Sequence, residues 1–241
     1  MEAVSEADLQ ALVRGYAAHV MGCSPDTFAQ VGRLEGGNRH AVFKVERLDA
    51  SNERAVVVRV SHGSDLEEQR QAEREAKVLE AAGGVAAPVL YDFRQSSTWF
   101  ETPSMCLEFI PGRHRDLRRA AAADLESLGS ALGSVHQRPT QALRGWLSTA
   151  DSLASYAQER LRSILDHLSW ARDPLPISLQ IRLRAAARTL ERRAAVPHIP
   201  SFKTPTPLAL LHGDPAGNNI RWSHDPVLID WEYARIGDPA D

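Results

Sequence analysis

A stretch near the end of the chain, LLHGDPAGNNIRWSHDPVLIDWEYARIGDPAD at 210–241, decides how the whole sequence is interpreted. His212-Gly213-Asp214 follows the apolar run LALL, and Asn219 comes five residues after Asp214, which gives the pattern H-x-D-x-x-x-x-N. In phosphoryl transfer this spacing has a mechanical meaning, because the Asp accepts the proton of the attacking hydroxyl and the Asn binds Mg²⁺ across a tight loop. The pattern therefore predicts a catalytic loop.

A second apolar run, PVLI at 226–229, leads directly into Asp230. A carboxylate at the end of a strand can hold the metal that bridges nucleotide phosphates, and hard oxygen ligands select Mg²⁺ or Mn²⁺ over zinc. We expect Asp214, Asn219 and Asp230 to converge from one hairpin-like unit. The alternative interpretation is a polar surface hairpin in which the Asp and Asn side chains make Asx turns.

The composition sets limits on the class of protein. The chain has 241 residues, of which 43% are hydrophobic and 24% charged, so it can bury a core and fits one large domain or two small ones. A net charge of -3 gives no overall attraction for nucleic acid or acidic lipid, which favours small substrates. The sequence contains neither a signal peptide pattern nor an apolar run long enough to span a membrane, so we predict a cytoplasmic protein. Its oligomeric state is open.

The first half of the chain predicts a small sheet with one inserted helix. A helix begins at Ser5 and ends at Gly22, and a second, amphipathic helix covers 65–82. Five apolar runs of strand length are interleaved with turn residues. These runs are 28–34, 40–48, 54–60, 89–93 and 105–110.

The second half is predicted to be mainly helical. Three Ala/Leu/Arg-rich segments with helical periodicity cover 114–138, 149–170 and 175–195. Pro111-Gly112 separates the halves, so the predicted domains are 1–110 and 111–241. The Arg-rich run 182–193 suggests a nucleic-acid surface, but most such runs are solvated helix faces, and we predict no nucleic-acid partner.

The motifs resemble a known family. The passages HGDPAGNN and LIDWEYARIGDPAD are similar to the two signatures of the aminoglycoside phosphotransferase and choline kinase family. In the first half, EGGNRHAVFKV resembles the family's glycine-containing nucleotide loop, REAKVLEAAGG its Glu-bearing helix and MCLEFIPG its hinge. The resemblance implies a bilobal, protein-kinase-like α+β fold, with an antiparallel five-stranded N-terminal lobe and a mainly helical C-terminal lobe that carries a short catalytic β-hairpin.

The resemblance also assigns roles in the reaction. It makes Asp214 the catalytic base that orients the acceptor hydroxyl, and Asn219 and Asp230 the Mg²⁺ ligands. Arg59 takes the place of the lysine that contacts the nucleotide phosphates, with Glu75 as its helix partner. A guanidinium can grip phosphate through two parallel hydrogen bonds, as this departure from protein kinases requires.

Two further sites follow from the same resemblance, and one of the roles assigned above has a second candidate. Gly36 and Gly37 would let the backbone approach the phosphates, and the stretch from Glu108 to Ile110 would offer backbone hydrogen bonds to adenine. Lys44 competes with Arg59 for the phosphate role, although it lies one strand earlier.

Three side chains beside the loops also call for an interpretation. His212 is interpreted as a structural residue that fixes the catalytic loop by hydrogen bonds. Trp231 and Tyr233 flank the metal loop, where they either line the acceptor pocket or pack.

The expected function is transfer of the γ-phosphate of ATP, or GTP, to a hydroxyl of a small molecule such as an aminoglycoside or a choline-like amine. Two alternatives stay open: a nucleotide-binding but inactive kinase-like module, and a metal-dependent phosphoesterase. Members of the family usually continue with several helices beyond the G-D-P-x-x-D segment, whereas this sequence stops at Asp241, so we expect a C-terminal lobe that is incomplete.

Overall fold

The computed structural model describes residues 5–35, 40–48, 55–147, 208–237 and 239. The helices predicted over 149–170 and 175–195, with the Arg-rich run 182–193, lie outside the described residues. Within the described residues, no helix is both long and apolar enough to cross a membrane.

The N-terminal helix, α1, spans Glu6–Met21. It begins where the hydroxyl of Ser5 accepts a hydrogen bond from the backbone N–H of Asp8, and it ends at Gly22 in a left-handed conformation with φ of 63°. Its apolar side packs against the outer face of the sheet through Val13, Tyr16 and Ala17. The sequence predicted that the helix begins at Ser5 and ends at Gly22, and these two residues are its N-terminal and C-terminal caps.

The sheet contains five antiparallel strands in the order β1-β2-β3-β5-β4. Helix α2, Leu66–Ala82, is inserted between β3 and β4 and is capped by the Asp65 carboxylate. The predicted number of strands and the position of the helix are both confirmed. The strands are β1 Phe28–Leu34, β2 His40–Arg47, β3 Val56–Ser61, β4 Leu90–Arg94 and β5 Ser104–Glu108.

Alternation along β2 and β3 divides the residues between the two faces of the sheet. In β2, Ala41, Phe43 and Val45 are buried against α1, and in β3, Val56, Val58 and Val60 are buried in the same cluster. The residues between them, which include Val42, Val57 and Arg59, face the opposite side and line a cleft. The apolar outer face thus fixes which residues face the cleft.

The helix predicted over 114–138 is shorter than expected. Helix α3 spans Ala122–His136 and follows a 3-10 turn at Leu117–Arg119. Two contacts hold the preceding chain out of the helix: Arg113 pairs with Trp222 as an antiparallel bridge, and the Asp116 carboxylate accepts a hydrogen bond from the backbone N–H of Arg118. Long-range pairing therefore overrides the local helix propensity.

The last described segment forms two separate pairs of strands, which corrects the expectation of one hairpin-like unit. The runs LALL and PVLI do not pair with each other: β6 pairs with β9, and β7 pairs with β8. Asp214 therefore follows a strand of one pair, while Asn219 and Asp230 flank the other. The strands are β6 Ala209–Leu211, β7 Ile220–Trp222, β8 Pro226–Leu228 and β9 Arg235–Gly237.

A second buried cluster joins the two halves of the described chain. It includes Val78 and Leu79 of α2, Leu128 of α3, and Leu228 and Ile236 of the final strands. This core packs on the cleft side of the sheet, opposite α1. The domain boundary at Pro111-Gly112 stays a prediction.

Candidate active site

A cleft of about 420 Å³ lies between the inner face of the sheet and the final segment. The sheet and α2 contribute one wall, the connection after β5 closes one end, and β7 and the loop after β8 form the opposite wall. Nine residues were assigned catalytic, nucleotide-binding or metal-binding roles from the sequence, and six of them line this one cleft: Arg59, Glu75, Glu108, Ile110, Asn219 and Asp230.

Arg59 and Glu75 form a buried ion pair across β3 and α2. The Nη1 of Arg59 donates to Oε1 of Glu75 at 2.9 Å, and its Nη2 contacts Oε2. Burial by itself would lower the pKa of Arg59 and raise that of Glu75, but the opposite charges and these hydrogen bonds reverse both directions. Both side chains therefore stay charged, and a cation is held at the wall of the cleft.

Lys44, the alternative phosphate contact, does not line the cleft. Its Nζ lies 4.4 Å from the centre of the Phe109 ring and is paired with Glu46. The side chain next to the helix glutamate is that of Arg59.

The loop after β8 carries Asp230 in an unusual conformation. Its φ is 66°, in the left-handed region that non-glycine residues rarely adopt. Asp230 is exposed and lines the cleft, yet the surrounding protein partly desolvates its carboxylate. This desolvation, together with the charges of Glu75 and Glu232, raises the pKa of Asp230 to about 6.

His212 is buried beneath this loop, with only 1% of its surface exposed. The backbone N–H of Asp214 donates to its Nδ1 at 3.3 Å, so the proton lies on Nε2, which donates to the carbonyl of Ile229 at 3.0 Å. Burial lowers the pKa of His212. A neutral imidazole with both nitrogens in use joins the chain before Asp214 to the chain before Asp230.

Asp214 is joined to the cleft through Asn219. The amide Nδ2 of Asn219 donates to the backbone carbonyl of Asp214 at 3.1 Å and to its carboxylate Oδ2 at 2.9 Å. These two bonds occupy the amide nitrogen, which leaves the amide oxygen of Asn219 available to a cation. Asp214 does not itself line the cleft, and its neighbour Gly213 turns the chain with φ of 90°.

The donor set suits magnesium. Asp230 and Asn219 offer a carboxylate and an amide oxygen, and desolvation, followed by the charges of Glu75 and Glu232, raises the pKa of Asp230, so a nearby cation would stabilise its ionised form. Within the described ranges, no three His, Cys, Asp or Glu side chains are close enough to bind a metal together. The residues present therefore fit an ion that takes few protein ligands and completes its shell with phosphate and water, as Mg²⁺ does.

The connection after β5 keeps one backbone donor available. The N–H of Glu108 donates to Val89 at 2.9 Å, and that of Phe109 to Ala55 at 3.3 Å. In the part of the chain that the structure describes, the N–H of Ile110 has no hydrogen-bond partner. Residues 36–39, which include Gly36 and Gly37, lie outside the described residues.

The structure adds residues that sequence reasoning missed. Arg221 and His114 line the cleft, with Nη1 of Arg221 donating to the carbonyl of Gly112 at 3.3 Å. The three residues of β7 are too few to show a period in the sequence, so no local signal identified Arg221. The sequence left Trp231 and Tyr233 with the same two alternatives, but their exposure differs. Trp231 is 1% exposed and Tyr233 is 54% exposed.

Comparison with known proteins places these features in a family. The sequence profile of the phosphotransferase enzyme family matches residues 30–240. No curated protein matches the chain.

Among solved structures, a candidate aminoglycoside phosphotransferase from Ralstonia eutropha JMP134 is 18% identical, with a TM-score of 0.65 over 95% of this chain and 66% of that one. An ethanolamine kinase from Plasmodium vivax is 15% identical, with a TM-score of 0.60 over 97% and 64% of the two chains. A choline kinase from Cryptosporidium parvum is 15% identical, with a TM-score of 0.59 over 94% and 65%.

The likeness to these structures establishes the fold. This chain spans between 64% and 66% of their lengths. The five-stranded antiparallel sheet, its inserted helix and the later helix and strands confirm the predicted α+β, protein-kinase-like class. Because the family profile covers residues 30–240, the chain belongs to the phosphotransferase enzyme family.

Proposed function

We propose that this protein transfers the γ-phosphoryl group of ATP, or GTP, to a hydroxyl of a small molecule in a Mg²⁺-dependent reaction. One observation carries the proposal. The Arg59–Glu75 pair and the oxygen donors of Asn219 and Asp230 face one cleft, and Asp214 is hydrogen-bonded to Asn219. Cation, metal donors and base are the parts that phosphoryl transfer requires.

The nucleotide would lie along the cleft. Its base would contact the apolar wall formed by Leu34, Val42 and Val57, with the N–H of Ile110 donating to a ring nitrogen. Its phosphates would reach Arg59, whose guanidinium is already oriented by Glu75. We also assign Gly36 and Gly37 to the phosphate loop.

Asp214 would act on the acceptor. Its carboxylate accepts the proton of the hydroxyl as the new oxygen–phosphorus bond forms and the bond to the bridging oxygen of the β-phosphate breaks. Asn219 holds this carboxylate through Nδ2, which fixes the direction from which the hydroxyl attacks. Asn219 and Asp230 would hold Mg²⁺, which would supply positive charge to offset that of the transferred group.

The acceptor class is a small hydroxylated molecule such as an aminoglycoside or a choline-like amine, and we propose the cytoplasm as its location. A two-metal phosphoesterase has less support, because the described residues contain no cluster of three His, Cys, Asp or Glu ligands. A nucleotide-binding but inactive module is the alternative that an experiment must separate.

The test is turnover of Mg-ATP and Mg-GTP against a panel of hydroxylated acceptors, with nucleotide affinity measured by calorimetry. We expect Asp214→Asn to lower kcat by about 100- to 10,000-fold, because general-base catalysis contributes that much, while nucleotide affinity is unchanged. Asp225→Asn is the matched control, since Asp225 is exposed in the turn between β7 and β8. Tight nucleotide binding without turnover of any acceptor would favour the inactive module, and an Asp214→Asn enzyme with a normal rate would remove the proposed base.

A further inference from the structure

The loop after β8, residues 229–234, carries Asp230 and is called the metal loop. A hydrogen bond between α2 and this loop has no role in the reaction described so far. The amide Nε2 of Gln71 donates to Oε2 of Glu232 at 2.9 Å. Gln71 lies four residues before Glu75, so both side chains project from the same face of the helix. Glu232 lies two residues after Asp230. The contact therefore joins the helix that orients Arg59 to the loop that carries the metal donor.

The same helix face holds this loop at two consecutive positions. Besides the contact to Glu232, Oε1 of Glu75 accepts a hydrogen bond from the backbone N–H of Trp231 at 3.3 Å. The Trp231 ring is itself fixed, because its Nε1 donates to the carbonyl of Leu228 at 2.9 Å. Both residues that follow Asp230 are thus tied to α2.

The residue before Asp230 is tied to the other side of the cleft. The N–H of Ile229 donates to the carbonyl of Asn219 at 2.8 Å, and its own carbonyl accepts from His212 at 3.0 Å. Asp230 lies between these two sets of contacts with φ of 66°. A left-handed conformation is less favourable than the helical or extended regions, although aspartate tolerates it better than most residues, so the contacts on both sides help to hold it.

We propose that Gln71 and Glu232 are positioning residues whose hydrogen bond fixes the metal loop against α2. The bond keeps Asp230 in its left-handed conformation and sets the distance between the Arg59–Glu75 pair and the metal donors. Its effect on catalysis rests on the proposed function, whereas its effect on loop structure does not.

An exchange of the two side chains tests this proposal. Gln71→Glu places two carboxylates opposite each other, Glu232→Gln keeps an acceptor oxygen, and the double variant Gln71→Glu/Glu232→Gln restores the bond with its direction reversed. Gln71→Ala removes the donor without adding charge, in case the carboxylate pair hinders folding. The readouts are amide hydrogen exchange of 230–232 in the ligand-free protein, and kcat and KM for Mg-ATP.

In the ligand-free protein, we expect Gln71→Glu and Gln71→Ala to speed exchange at 230–232 by roughly 3- to 10-fold, the net effect of one ordinary hydrogen bond on a partly exposed loop. In turnover, kcat falls by about the same factor with little change in the KM of the acceptor. The double variant Gln71→Glu/Glu232→Gln should restore the amide exchange rate and kcat to within about twofold of the original protein.

The chain offers a matched control. Gln95 donates to Glu73 at 2.8 Å, which is the same amide-to-carboxylate bond on an exposed part of α2, away from the metal loop. Gln95→Glu should leave exchange at 230–232 and kcat unchanged. Equal effects of Gln71→Glu and Gln95→Glu, or a double variant that is not restored, would overturn the proposal. Restored exchange without any turnover would support the positioning contact and count against the proposed kinase reaction instead.

Discussion

The five-stranded sheet and the final segment at 208–237 are both built from β-strands, but different forces hold them. The strands of the sheet are five to eight residues long, and β2 and β3 alternate between a buried outer face and the cleft. The four strands of the final segment have three residues each. Strands this short form few ladder hydrogen bonds, so other contacts must define the geometry of the loops.

Those other contacts are hydrogen bonds from side chains to the backbone. His212 bonds to Ile229, Trp231 to Leu228 and Asn219 to Asp214, and each bond joins one loop to the strand or loop beside it. The sheet is therefore held mainly by buried apolar area, whereas in the final segment a few specific polar atoms also fix the loops. Substitutions in the two regions should consequently differ in kind as well as in size.

The largest effect is expected from a cavity in the sheet. Phe43 is fully buried against α1, so Phe43→Ala should lower the free energy of unfolding by about 3 to 5 kcal/mol, as large-to-small core substitutions do. Activity per folded molecule should stay within about twofold, because the ring lies on the face away from the cleft. Urea unfolding and turnover measure the two quantities.

Phe93→Ala provides a comparison for that variant. Because Phe93 in β4 is only half-buried, its substitution should lower the free energy of unfolding by less than Phe43→Ala does. A loss for Phe43→Ala of below about 1 kcal/mol would contradict the view that apolar burial dominates this region.

The next effect is expected at the turn before Asp214, the proposed catalytic base. Gly213 has φ of 90°, and a Cβ at this position would overlap the backbone carbonyl of Tyr233. Gly213→Ala should lower the free energy of unfolding by roughly 2 to 3 kcal/mol and also reduce kcat, since the turn sets the position of Asp214. Gly32→Ala in β1 is the matched control, because no atom of the described residues lies within 4 Å of the place that its new methyl group would occupy. Equal stability of the two variants would show that the turn tolerates a side chain.

The sequence predicted the sheet better than the final segment for the same physical reason. The apolar, β-branched runs at 40–48 and 54–60 are local patterns that predict strands, and β2 and β3 form there. In the final segment, β7 and β9 have three residues each, too few to show a period. Their pairing depends on residues far away in the chain, so the LALL and PVLI runs were assigned to one unit.

The candidate site shows the same limit. Residue types and spacing singled out Asp214, Asn219 and Asp230 because the chemistry restricts which side chains can serve. The contact of Gln71 with Glu232 and the position of Arg221 depend on how α2 and β7 pack, and no local spacing specifies that. The beginning of α3 at Ala122 likewise depends on the distant pairing of Arg113 with Trp222.

The smallest expected effect is a change in how the free energy of unfolding depends on pH when His212 is substituted. Burial lowers its folded-state pKa below the ordinary value of 6.5, so the fold favours the neutral ring. The stability that His212 contributes is therefore complete above pH 6.5 and is lost as the pH falls toward the folded-state pKa. His212→Gln should be less stable than the original protein at pH 8 by about 1 kcal/mol, since one hydrogen bond is lost, and this difference should shrink on acidification.

Urea unfolding between pH 8 and pH 5 measures this difference directly. The pKa of His136 is also lowered by burial, but that residue is present in both proteins and cancels in the comparison. Phe43→Ala serves as the reference from the sheet, because removing an apolar ring should displace the stability curve by the same amount at every pH. If the His212→Gln curve were also parallel to that of the original protein, the buried imidazole would not be the polar contact on which the final segment depends.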